Sequence, residues 1–322
     1  MARRKHNKLV KRRRLVAAVF ALVAIASFAG GAAVVTAHTG TDRVQPRQAV
    51  TSAAETIQVS CRSAALSGTL PALVTLPAGY RSSSARYPVV YFLHGLPANR
   101  TSYLSDPFVA SSLAQTGRRA IVVQPQGARS DNADREYLDW DAGENWPRAI
   151  SQDLVNCMDG RFRTVHSRFG RALIGLSAGG YGAFNIGLRA LSTFGAVESW
   201  SGYFAATNPA GTTILNLGST RANGDAIVPS GSGLRRAVGS WPTLIGFYVG
   251  AQDTRFLNMN KLYDAQLTNA GVSHSFRIYP GGHSSTLWQA HASTWLAMAF
   301  DALGAEAKAK LRSGDGGSAL TR

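Results

Sequence analysis

Short, largely apolar runs recur along the chain at residues 87–93, 120–124, 172–175, 243–250 and 275–279. Unbroken apolarity of that length is the mark of strands buried on both faces. Two earlier stretches read differently. Residues 55–61 alternate, and 70–76 are apolar with β-branched residues before Pro77-Ala78-Gly79, as expected of antiparallel strands at the start of a sheet. Helical stretches are expected at 106–115, 146–159, 179–190, 256–270 and 287–303. Strands alternating with helices imply one α/β domain, spanning 54–304, with a mainly parallel central sheet covered on both faces.

Two regions break this rhythm. Residues 204–240 are rich in Gly, Asn, Ser and Thr with weak periodicity, as in a functional loop or lid. Residues 305–322, which include Ser313-Gly314-Asp315-Gly316-Gly317-Ser318, read as a flexible tail. No repeat of solenoid period is present.

Composition sharpens the compartment more than the fold. Of 322 residues, 45% are hydrophobic and 16% charged, the balance of a globular chain. The formal charge of +16 raises a nucleic-acid reading, so its location matters. Arg3, Arg4, Lys5, Lys8, Lys11, Arg12, Arg13 and Arg14 crowd the first 14 residues without an acid. Setting those eight aside leaves 26 basic residues against 18 acidic ones. With half of the excess terminal and no recognition motif elsewhere, nucleic-acid binding ranks last.

Behind the basic run, residues 15–35 carry no charge and lead into Val35-Thr36-Ala37. Residues 1–37 therefore read as an export signal, with an uncleaved membrane anchor as the competing reading. Residues 38–53 are small, polar and Pro-containing, a linker. Either reading puts the folded domain outside the cytoplasm, and its basic surface suits an anionic cell envelope. Cys61 and Cys157 are then expected to form a disulfide between an early strand and a later helix, the alternative being two buried thiols.

The chemistry centres on Gly175-Leu176-Ser177-Ala178-Gly179, which follows an apolar strand and precedes a helical stretch. Glycines on both sides let strand and helix pack closely while a strained turn lifts the serine hydroxyl clear of the sheet. A serine nucleophile needs a base, and the base an orienting acid. Of seven histidines, His6 and His38 lie in the leader or linker, His166 and His274 precede strands as surface residues, and His291 falls within the last helix. His283 follows the final strand and Gly281-Gly282, where the chain order serine, acid, histidine expects the base. Asp253, in Gly250-Ala251-Gln252-Asp253, is the candidate acid; it could instead cap the next helix, and Glu198 and Asp225 are the fallbacks. The backbone N–H groups of Ala178 and Leu96 are the candidate oxyanion donors, with His94 shaping the Leu96 loop.

These blocks resemble the putative-esterase branch of the α/β-hydrolases, which includes esterase D (S-formylglutathione hydrolase), feruloyl esterases and secreted mycolyltransferases. The resemblance rests on Tyr87-Pro88-Val89-Val90-Tyr91-Phe92-Leu93-His94-Gly95, Gly175-Leu176-Ser177-Ala178-Gly179-Gly180, Gly250-Ala251-Gln252-Asp253 and Gly281-Gly282-His283 with Trp288, in the family order. It implies the α/β-hydrolase fold and acyl transfer through a covalent ester intermediate, without metal or cofactor. Ala178 departs from the methionine often found there, and His94 from the aspartate usual in mycolyltransferases.

The expected function is a secreted serine esterase acting on small-molecule, lipid or sugar esters. An acyltransferase acting on a sugar or lipid hydroxyl is the alternative, and a non-catalytic envelope-binding protein on the same scaffold ranks below both. One feature stands apart: Asp131, Asp134, Glu136, Asp139, Asp141 and Glu144 cluster beside Trp140 and Trp146. Their spacing fits no EF-hand loop, and a solvated acidic loop is preferred over a substrate-contacting rim.

Overall fold

Alternation within the apolar runs decides which face of the sheet each side chain covers. In β3 (Val89–Leu93), Val89, Tyr91 and Leu93 enter one buried cluster, and Val90 and Phe92 enter the other. β5 (Arg171–Leu176) divides the same way, Leu173 against Ala172 and Ile174. So does β7 (Leu244–Gly250), Phe247 against Tyr248. Both faces being apolar, both must be covered.

The computed structural model describes residues 53–312, apart from 128–135, 142, 209–211, 216, 218–223 and 225. The export segment and all but the last residue of the linker lie outside the described residues, as do Asp131, Asp134, Asp225 and 313–322. β1 (Glu55–Ser63), β2 (Gly68–Leu76), β4 (Ile121–Pro125), β6 (Ala196–Trp200) and β8 (Ser275–Tyr279) complete an eight-stranded sheet of order β1-β2-β4-β3-β5-β6-β7-β8. The β1/β2 and β2/β4 pairings are antiparallel and the rest parallel. This is the α/β-hydrolase fold.

One face is covered by α1 (Phe108–Gln115) and α7 (Ser285–Arg312), which bury Leu113, Trp295 and Leu296 against Phe92 and Trp200. The other face receives α3 (Val155–Arg161), α4 (Ala178–Gly187) and α6 (Leu257–Ala270) through Met158, Phe184 and Tyr263. Phe92, Phe184 and Trp295 are fully enclosed, and burying a side chain of this size is worth about 1.5–3 kcal/mol. A short helix α2 (Trp146–Arg148), capped by the Asn145 side chain, runs through a π-helical stretch (Ala149–Leu154) into α3. A further helix, α5 (Ser232–Ser240), forms the end of the 204–240 region. Among the described residues no helix is long and apolar enough to cross a membrane.

The structure corrects the expectations at four places. β6 has no counterpart among the expected strands, because Glu198 and Ser199 interrupt its apolar run. Helix α7 continues to Arg312, eight residues into the stretch read as a tail, since Ala305, Glu306, Ala307 and Lys308 are strong helix formers. His274 is not a surface residue: its ring stacks on Phe247 at 5.6 Å and bonds Asp264 at 2.8 Å. In the acidic segment Glu136 and Asp139 are buried, not solvated. Glu136 accepts the Tyr203 hydroxyl (2.7 and 2.5 Å), and Asp139 accepts the Asn145 amide (2.6 Å). Cys61 in β1 and Cys157 in α3 are bonded to each other, their Cα atoms 5.9 Å apart.

Candidate active site

The parallel register brings the carboxyl ends of β5, β6, β7 and β8 to one edge of the sheet, where open α/β folds build their sites. Ser177 stands between β5 and α4 with φ 53° and ψ −121°, a conformation a non-glycine residue adopts only under strain. Its N–H donates to the Trp200 carbonyl of β6 at 2.9 Å, and its own carbonyl accepts the Tyr181 N–H at 3.1 Å. The turn is so tight that a Cβ on Gly179 would lie 2.0 Å from the Leu93 carbonyl oxygen. This is the physical reason for glycine there.

His283, on the loop between β8 and α7, reaches Ser177 Oγ through Nε2 at 2.9 Å. Its Nδ1 meets Asp253 Oδ2, also at 2.9 Å. The side chain of Asp253 is wholly buried and that of His283 is 11% exposed. The other oxygen of Asp253 accepts the backbone N–H groups of Arg255 and Phe256, each at 3.1 Å. Asp253 thus does both things open to it: one oxygen holds the turn into α6, the other holds the histidine. A carboxylate fixed by two backbone donors can orient an imidazole with little freedom of its own. Glu198, the described fallback acid, is buried in β6 and bonds Trp200 and Tyr248 instead.

Ala178 is the first residue of α4, so its N–H has no acceptor within the helix. Leu96 follows β3, and the preceding Gly95 approaches the serine closely: a Cβ there would lie 3.1 Å from Ser177 Cβ. His94 locks this loop. Its Nε2 accepts the Gly127 N–H at 2.9 Å, so Nδ1 carries the proton donated to the Gly95 carbonyl at 2.9 Å. The Tyr137 hydroxyl donates to the His94 carbonyl at 2.9 Å. Burial pushes the His94 pKa down to about 4, against a smaller upward pull from the Gly95 bond, so the ring is neutral at neutral pH. His94 shapes the loop, as expected from sequence.

Leu96, Ser177, Tyr203, Phe256, His283 and Trp288 share the wall of an open cleft of about 1040 Å³. Sequence reading missed Phe256 and Tyr203 as site residues; Phe256 sits edge-on to His283, ring centroids 5.1 Å apart. The only available signal was its place three residues after the candidate acid. His291 packs on Tyr279 at 4.2 Å, and His166 meets Arg86 at 3.1 Å. Among the described residues, no group of three or more His, Cys, Asp or Glu side chains is placed to hold a metal ion.

Known proteins resemble this chain in sequence and in fold. The protein-family model described as Esterase (Putative esterase) matches residues 63–296. Esterase Rv1288 of Mycobacterium tuberculosis (strain ATCC 25618 / H37Rv) is 25% identical over 235 residues, covering 65% of this chain and 51% of the relative. The chain therefore spans about half the length of the curated relatives it matches. A solved ferulic acid esterase superposes with a TM-score of 0.62 at 21% identity, over 78% of this chain and 99% of that one. S-formylglutathione hydrolase from Staphylococcus aureus superposes with a TM-score of 0.61 at 17% identity, over 77% and 100%. At such identities the two structures speak for the fold alone.

Proposed function

The chain belongs to the Putative esterase family, and from that membership we propose that it is a secreted serine esterase working through Ser177, His283 and Asp253. The observation that carries the reading is the continuous hydrogen-bonded chain Ser177–His283–Asp253, 2.9 Å at each link, opening onto the cleft. In the first half-reaction Ser177 Oγ attacks the ester carbonyl while His283 Nε2 takes its proton. The negative charge on the former carbonyl oxygen is met by the N–H groups of Leu96 and Ala178. Collapse of this adduct breaks the bond to the alcohol, which leaves with the proton from His283, and an acyl ester remains on Ser177. Water then gives a proton to His283 and attacks the acyl carbon. The acid departs and the proton returns to Ser177. Asp253 stays ionised throughout and stabilises the imidazolium formed in each half.

Export is part of the proposal: residues 1–37 carry the signal or anchor pattern, and the Cys61–Cys157 bond suits an oxidising compartment. Association with an anionic envelope rests on the basic excess beyond residue 14.

Turnover of p-nitrophenyl esters tests the reading. Ser177→Ala should abolish it, and intact turnover in that variant would refute the assignment. Acyl transfer is the second reading, favoured by the hydroxyl- and amide-bearing wall of the cleft at Asn99, Thr101, Ser102 and Ser105. Product analysis with and without a sugar acceptor separates the two: free acid alone supports hydrolysis, and a new sugar ester supports transfer.

A further inference from the structure

The edge of the sheet that carries Ser177 repeats its geometry one strand over. β5 and β6 are adjacent and parallel, and each is followed at once by a serine in the left-handed region, Ser177 at φ 53° and Ser201 at φ 52°. Each serine N–H donates across to the next strand, Ser177 to the Trp200 carbonyl at 2.9 Å and Ser201 to the Tyr248 carbonyl at 2.7 Å. The two hydroxyls then serve neighbouring partners on one segment. Ser177 Oγ bonds His283, and Ser201 Oγ accepts the indole N–H of Trp288, in the first turns of α7, at 3.0 Å.

That indole stands edge-on to the His283 ring, centroids 5.2 Å apart and planes at 88°. The hydrogen bonds at Nδ1 and Nε2 fix an axis through the imidazole but leave it free to rock about that axis. Ring walls limit the rocking, and His283 has two of them, Phe256 and Trp288. The Phe256 wall is held by its backbone N–H on Asp253. Trp288 lines the open cleft and is only half-buried, so its ring has room to swing toward solvent. The bond to Ser201 is what holds it in place. Ser201 itself is fully buried, and a left-handed conformation in a non-glycine residue persists only when its surroundings enforce it. Glycine would fit the backbone without strain but would leave Trp288 without its acceptor.

We propose that Ser201 and Trp288 form a positioning pair that holds the His283 ring in line between Asp253 and Ser177. The pair acts through His283, so the proposal rests on the esterase reading given above. Neither residue takes part in bond making.

Ser201→Gly relieves the strained φ while removing the acceptor, and Trp288→Phe keeps a ring while removing the donor. Each should lower kcat for a p-nitrophenyl ester about 10-fold with KM within roughly twofold of the parent, the mark of lost alignment. Ser201→Gly gives up one buried hydrogen bond but sheds the strained φ, so its melting temperature should lie within about 4 °C of the parent's. A loss of rate at temperatures well below melting is then not one of weaker folding. The double variant should be no slower than the slower single, because both remove one interaction. Parental kcat in Ser201→Gly, losses that multiply in the double variant, or a fall in rate that tracks a fall in melting temperature would each overturn the pairing. Should Trp288→Phe fail to fold, Ser201→Gly carries the test alone. A parent chain that neither turns over esters nor reacts with a fluorophosphonate would overturn the esterase reading first, and the pair's role with it.

Discussion

Glu198 lies wholly buried in β6, and no cationic side chain pairs with it among the described residues. Its carboxyl accepts the Trp200 indole N–H at 3.0 Å and meets the Tyr248 hydroxyl at 3.2 Å. Burial pushes its pKa up to about 8, outweighing the downward pull of those two bonds. The folded value thus exceeds the unfolded one, near 4.5. The stability of the neutral acid is therefore full below the unfolded value and is lost as pH rises toward the folded one. Between pH 5 and 7 the loss comes to roughly 2–3 kcal/mol, at 1.36 kcal/mol per unit of pH once the unfolded carboxyl is ionised. Glu198→Gln keeps the shape and removes the titration. Urea unfolding of both proteins at pH 5, 7 and 8.5 should show the variant gaining on the parent by about that amount from pH 5 to 7, and further by pH 8.5. A stability difference that stays constant across the three pH values would refute the reasoning.

Three further outcomes are expected. Gly95→Ala puts a Cβ 2.8 Å from Leu176 Cδ1, which can turn away, and 3.1 Å from Ser177 Cβ; a displacement of the serine by a few tenths of an ångström should lower kcat about 10-fold, whereas parental turnover would mean that the loop yields without moving the serine. Asp253→Asn retains an acceptor for the Arg255 and Phe256 N–H groups, so melting temperature should hold while kcat falls about 10⁴-fold; an equal loss of stability would make the residue a helix cap only. Reducing the Cys61–Cys157 bond, which links positions 96 residues apart, should cost about 4–5 kcal/mol on the chain-entropy model, and an unchanged urea midpoint under reductant would contradict it.

The sequence revealed those parts of the fold that leave a local mark. Close packing at the serine turn demands glycine at 175 and 179, and the loop before His283 carries Gly281-Gly282, so the proposed nucleophile and base stood out. β6 left no such mark. Its side chains are all buried, but two of the five are polar, and Glu198 finds its partner on β7. Missing that strand also hid Ser201, whose place is set by the end of β6. The Ser201–Trp288 bond spans 87 residues and depends on two loops meeting at the sheet edge. Glu136 was misread for the same reason, since its partner Tyr203 is 67 residues away. Charge spacing alone describes a solvated loop, and only the tertiary partner makes burial tolerable for a carboxylate. Asp253 was ambiguous in sequence between cap and triad acid because its two oxygens take different partners, one the backbone N–H groups of the helix turn and the other His283.

If Ser177 is made nucleophilic by His283, a fluorophosphonate should find it and should need the histidine to do so. The most direct measurement is reaction of the folded protein with such a probe, then peptide mass mapping of the adduct. One adduct is expected, on the peptide containing Ser177, with labelling slowed at least about 100-fold in His283→Ala. An adduct on another serine, or labelling at an undiminished rate without His283, would contradict the mechanism.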